Sequence, residues 1–207
     1  MQRRDRRNVG LNSVGESMWG LMANLVAPAT VLTVLLRQRG AGDVTIGAIA
    51  GIESSCVLLP QLLGIYVFHS RRHRKAQLVL WHLMAALPFL AGMGVLTLLA
   101  DRLPPATYRL AMLACFGVFW FAIGIVAAAW TDFLGHLFAV HIRGKAMGVG
   151  LLGYSLAGAG ATLLAGRAVQ LLVELSPGAL TWGWSRIVLG ALPLRSVPGL
   201  VFAKALG

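Results

Sequence analysis

Long apolar runs, broken by short clusters of charge, set the pattern of this chain. Five uncharged or nearly uncharged runs reach the length that matters: about Gly15 to Leu36, Thr45 to Phe68, Ala76 to Ala100, Leu110 to Thr131 and Ala146 to Val173. A helix rises about 1.5 Å per residue and the hydrocarbon layer is about 30 Å thick, so about 20 apolar residues cross it. The breaks carry turn chemistry. Arg37-Gln38-Arg39-Gly40-Ala41-Gly42-Asp43 closes the first run, His69-Ser70-Arg71-Arg72-His73-Arg74-Lys75 the second, and Asp101-Arg102-Leu103-Pro104-Pro105 the third. Glycine, proline and charge together punctuate a turn. Such short connections make sequential neighbours antiparallel hairpins. The pattern predicts an all-α, polytopic transmembrane helix bundle.

Past Glu174 the pattern fails. Ser176-Pro177-Gly178 is a turn, and Arg186, Arg195 and Lys204 cut the remainder into short apolar pieces. A sixth span there would place Arg195 in the bilayer between Pro193 and Pro198, at about 2.5–3.5 kcal/mol for the charge alone. The expected organisation is a basic N-terminal segment over 1–14, a five-span bundle over 15–173, and an irregular or partly membrane-associated tail over 174–207 in place of a regular sixth span.

Composition agrees with the pattern. Of 207 residues, 57% are hydrophobic and 12% charged, where a soluble domain carries roughly twice that charge. The net charge of +11 raises nucleic acid as a partner, but the cations lie between apolar runs and form no basic face interleaved with aromatics. Their distribution is informative in another way. With the N-terminus inside, inner segments hold ten cations (Arg3, Arg4, Arg6, Arg7, Arg71, Arg72, Arg74, Lys75, Arg143, Lys145) and outer loops four (Arg37, Arg39, Arg102, Arg109). The positive-inside rule then places the N-terminus in the cytoplasm of a bacterial-type inner or plasma membrane. The run after the N-terminal arginines is too long for a signal h-region, so the first span is expected to stay as an anchor.

Few residues carry candidate chemistry. Glu53 lies about 12 Å below the outer end of the second span. An acid at that depth must be neutralised, paired or hydrated. It marks a solute or proton pathway, pairs with Arg167 on the fifth span, or sits protonated as a spectator. Asn24 and Gln61 are amides that either face the same polar pathway or bond between helices. His82 reads as a packing residue. His69 with His73, and His136 with His141, lack a third metal-binding group. Cys56 and Cys115 fall within apolar runs, which suits packing better than a disulfide. The fifth span is rich in glycine, and Gly144-x-x-x-Gly148 and Ala157-x-x-x-Ala161 suit close helix approach. No hydrolase elbow, His-Glu-x-x-His or Walker A sequence occurs, so no enzyme activity and no cofactor are expected.

Over Leu11 to Val173 the chain resembles the N-terminal half of a major facilitator superfamily transporter. Trp130-Thr131-Asp132, followed by Arg143-Gly144-Lys145-Ala146-Met147-Gly148, is similar to that family's inner connection between spans four and five. Gly64 and the cations Arg71, Arg72, Arg74 and Lys75 stand where the family has its signature turn between spans two and three. Phe68 takes the slot of the family's aspartate. The resemblance implies half of a major-facilitator-type fold that moves a small solute by alternating access around a midplane site. It also implies an inner gate in which Asp132 approaches Arg71, Arg72 or Arg143. One half supplies one wall of a cavity. The chain is therefore expected to be truncated, or to pair with itself or with a separate C-terminal half, within membrane lipid. The competing expectations are a polytopic scaffold without transport and, more remotely, an intramembrane enzyme.

Overall fold

The computed structural model describes residues 3–25, 31–68 and 74–175, and every regular element among them is helical. In chain order these are α1 (Arg3–Leu25), α2 (Thr33–Gln38), α3 (Asp43–Leu58), α4 (Gln61–Val67), α5 (Arg74–Trp81), a π-helical turn (His82–Ala86), α6 (Leu87–Leu98), a 3-10 turn (Ala100–Arg102), α7 (Pro105–Leu137) and α8 (Val140–Leu175). Four segments are long and apolar enough to cross a membrane: Asp43–Gly64, Ala76–Leu98, Pro105–Leu137 and Val140–Ala168. They coincide with the second to fifth predicted runs. The first run falls on α1 and α2, with 26–30 outside the described residues. α1 is helical from Arg3, so the basic start and the first run share one helix. From 176 onward the tail also lies outside the described residues, so the expectation of an irregular tail rests on sequence.

Two prolines shape the crossings. Pro60 has no N–H to bond the Cys56 carbonyl, and the helix breaks between α3 and α4, restarting at Gln61. Pro88 sits in the first turn of α6, directly after the π-helical turn in which the Leu87 N–H reaches His82 O, one residue further back than in an α-helix. The wider turn accommodates the missing donor.

Contacts at glycines give the helix directions. Gly150 of α8 lies against Asn12 and Glu16 of α1, Gly153 against Ser17, and Gly158 against Asn24. Both numbers rise together, so α1 and α8 run parallel. On α7, Gly117 meets Ile52 and Gly124 meets the carbonyls of Cys56 and Val57, while Gly64 of α4 lies on the Ile125 carbonyl. The α3–α4 arm and α7 are therefore also parallel. By contrast, Trp81 Nε1 donates to Ala122 O at 2.8 Å and Gly92 faces Cys115, which sets the α5–α6 arm antiparallel to α7. This is the geometry of chain segments crossing one layer in alternate directions.

The core is layered along α7, the most buried of the four crossing segments. One end holds Tyr108, Met112 and Phe116 with Leu32, Leu36 and Ile49. Next come Phe119, Ala122 and Ile123 with Met22, Val31, Leu35, Leu90 and Ala165. Ile125, Val126 and Ala129 follow with Phe68 and Leu78, and Leu134 closes the other end with Phe138, Ile142 and Ala146. Large apolar side chains remain exposed on the outward faces, among them Leu58, Leu59 and Leu62 of the broken arm and Leu151, Leu152, Leu156, Leu163 and Leu164 of α8. Such surfaces suit lipid.

The first of these ends is tied by charge. Arg39 pairs with Asp101 across two connections, and Arg37 pairs with Asp43. Arg109 donates to the carbonyls of Arg39 (2.7 Å) and Gly40 (3.0 Å). Gly40 has φ of 74°, the only positive value among the described residues. Both predicted outer loops thus meet at one end, as alternation requires.

Candidate functional site

The polar groups inside the bundle fall on two arms. The first is the broken α3–α4 arm. Glu53 stands about two turns before the Pro60 break, on the flank of the face that carries Ile49 and Cys56 toward α7, and is half-buried. Gln61 opens α4 immediately after the break. Neither side chain makes a hydrogen bond or ion pair among the described residues. The expected partner of Glu53, Arg167, is exposed on α8, and no ion pair joins them. Gly124 lets α7 come within backbone contact of the carbonyls of Cys56 and Val57, so the Cys56 carbonyl freed by Pro60 lies against α7. A broken helix with a carboxylate above the break and an amide at its restart can hydrogen-bond a polar solute or pass a proton.

The second arm is α1, and most of its polar face was missed from sequence. Asn8, Asn12 and Glu16 recur every four residues and share one face. Asn12 is 1% exposed and Asn8 4%. Asn8 Oδ1, Asn12 Oδ1 and Asn12 Nδ2 are buried without hydrogen-bond partners. Glu16 is half-buried, and its Oε1 accepts from Trp130 Nε1 of α7 at 3.2 Å. Gly150 of α8 covers this face: a Cβ there would lie 2.6 Å from Asn12 Nδ2 and 3.2 Å from Glu16 Cγ. The usable signal was the four-residue spacing. Hydropathy hides it, because Glu16 falls at the rim of the first apolar run and Asn8 and Asn12 lie within the basic segment before it. Farther along, Asn24 Nδ2 donates to Gly20 O at 2.8 Å, a bond within α1, while its side chain packs on Gly158 of α8. Ser13 and Ser17 bond back to Val9 O and Ser13 O.

Of the expected inner gate, the described residues hold Asp132 and Arg143. Asp132 is exposed on α7 and pairs with His136 one turn on, at 3.4 Å. It makes no ion pair with Arg143, whose Nε is buried without a partner. Arg71 and Arg72 lie outside the described residues, so the gate remains an expectation for those two alone. His82 Nδ1 bonds to Leu78 O at 2.7 Å. No group of three His, Cys, Asp or Glu suited to a metal occurs among the described residues.

The expected glycine contacts are also redistributed. Gly144 and Gly148 meet nothing within 4 Å, while Gly150, Gly153 and Gly158 carry the contact with α1, and Ala161 is buried as expected. Comparison of the chain with family models, with curated proteins and with solved structures finds no match.

Proposed function

We propose that the chain is the N-terminal half of a secondary transporter of the major facilitator kind, moving a small solute by alternating access with its N-terminus in the cytoplasm. The observation that carries this reading is Glu53, a carboxylate without a partner among the described residues, on a crossing segment that breaks at Pro60 and restarts at Gln61. Broken helices with polar groups at the break are how transporters build midplane sites. An acid held in lipid for packing alone would be expected to pair. The alternating directions of α1, the α3–α4 arm, the α5–α6 arm, α7 and α8 support the same reading. A second half, or a second copy, supplies the facing wall.

Thiol labelling tests it. In a background with Cys56 and Cys115 replaced by serine, single cysteines are placed at Glu53 and Gln61, and at the exposed apolar positions Leu58 and Leu151. A membrane-impermeant thiol reagent applied to the membrane-embedded protein reacts at 53 and 61 if they line a hydrated pathway, and leaves 58 and 151 untouched. Inert cysteines at both 53 and 61 would reject the pathway in favour of a scaffold.

A further inference from the structure

We propose that the end of the bundle at which α1 and α8 begin binds an anionic phospholipid, its phosphate held by Arg143 and Lys145 and an acyl chain laid along the outward stripe of α8. The site lies apart from Glu53 and Gln61 and goes beyond the transporter reading.

Register places the charges. Gly150 of α8 lies on Asn12 of α1 and the two helices are parallel, so two turns back along both brings Arg143 level with Asp5 and Lys145 level with Arg7. The two helices therefore start side by side. By sequence their first two turns carry Arg3, Arg4, Arg6, Arg7, Arg143 and Lys145 against one acid, Asp5. Cations at a helix N-terminus add to the positive end of its macrodipole, and here two such ends are adjacent. Arg6 and Lys145 are exposed. Arg143 is half-buried, and its Nε is buried without an acceptor among the described residues. An anion supplies that acceptor and offsets the crowded charge.

The face above Lys145 selects the kind of anion. Lys145, Leu152, Leu156 and Leu163 recur at helical spacing and form one stripe of α8. The three leucines are 58%, 66% and 72% exposed. Between Lys145 and Leu152 the stripe is bare, since a Cβ at Gly148 would meet nothing within 4 Å. Seven residues rise about 10 Å, which sets the cation below the first leucine by the depth of a headgroup and glycerol. A soluble anion or an acidic peptide would use the charge and leave the leucines uncovered. A phospholipid uses both. A zwitterionic headgroup brings its own cation into the cluster, so an anionic one is favoured. Each cation near an anionic lipid surface strengthens binding about fivefold.

The experiment is native mass spectrometry of the full chain in detergent, titrated with dioleoylphosphatidylglycerol or with dioleoylphosphatidylcholine. One tightly held phosphatidylglycerol is expected, with no such step for phosphatidylcholine. Arg143→Gln with Lys145→Gln should weaken it roughly 25-fold, about fivefold for each cation removed. Arg102→Gln with Arg167→Gln removes the same charge from the opposite end and should leave binding unchanged. Gly148→Leu keeps the charge, fills the bare stretch and should also weaken binding. Lys145→Gln alone, at an exposed position, carries the test should the double variant fold poorly. Equal binding of the two lipids overturns the proposal, as do equal losses in the two double variants or unaltered binding in Gly148→Leu. Displacement of the lipid by millimolar inorganic phosphate, or by an oligoglutamate peptide, would assign the charge to a soluble anion or an acidic partner and overturn it too. The readout needs no solute, so it is independent of the thiol labelling at 53 and 61.

Discussion

A residue's role in this bundle depends on which helix it meets, and glycine shows this most plainly. From sequence, Gly144 and Gly148 had the spacing of a contact motif, but they face open space while Gly20, Gly64 and Gly124 touch the backbones of neighbouring helices. Spacing along one helix gives a face and leaves open which partner covers it. The same gap hid the Asn8, Asn12 and Glu16 face and suggested a Glu53–Arg167 pair that does not form. A Cβ at Gly20 would collide with the Tyr154 carbonyl, a backbone group that cannot rotate away. Gly20→Ala should therefore lower stability by about 1–3 kcal/mol, the usual range for overpacking. Gly148→Ala, with nothing within 4 Å, should be neutral or gain up to about 1 kcal/mol from helix propensity. Thermal unfolding of the two variants in the same detergent checks the difference; equal loss in both would mean that close approach at Gly20 is not what holds α1 to α8.

Helix existence was legible from run length, because lipid requires every backbone group of a crossing segment to be bonded within it. Interruptions were less legible. Charge clusters mark the ends of crossing segments, but the second and third runs stay apolar across Pro60 and Pro88. An uncharged proline leaves the hydropathy of a run intact while removing a donor, so only the backbone shows its effect. Pro60 separates α3 from α4 and frees the Cys56 carbonyl toward α7. With Pro60→Ala, the residue-60 N–H can bond that carbonyl and let one helix run from Asp43 to Val67. In a proline-free interior the local gain approaches about 3 kcal/mol. The variant should unfold at a higher temperature, and, on the proposed reading that water enters at the break, a cysteine at Gln61 should react more slowly with a hydrophilic thiol reagent. Unchanged labelling would show that hydration at Gln61 does not depend on the break.

At the scale of the whole molecule, alternating crossings force a relation the sequence only implied: the first and fifth runs must point the same way, and so must the second and fourth. Which of these parallel pairs touch is a matter of side-chain size. The small residues of α8, Gly150, Gly153 and Gly158, face small or slender ones on α1, and the two long helices meet along several turns. Gly153 offers a direct test. A Cβ built there lies 3.7 Å from Ser17 Cβ, close to the mean separation of about 3.8 Å in disulfides, and its nearest side-chain atom is the Ser17 hydroxyl oxygen. Ser17→Cys with Gly153→Cys, in a chain lacking Cys56 and Cys115, should crosslink rapidly under mild oxidation. The bond would appear as a faster-migrating monomer on non-reducing gels. Ser17→Cys with Gly148→Cys serves as the control, since Gly148 has nothing within 4 Å and lies more than a turn from Gly153. Helices that ran antiparallel would carry Ser17 away from Gly153 by several turns, at about 5.4 Å each, and no bridge could close. Crosslinking at 153 but not at 148 therefore fixes both the partner of α1 and its direction; crosslinking at 148 alone would rotate α8 by roughly half a turn and remove Gly150 from its place over Asn12 and Glu16.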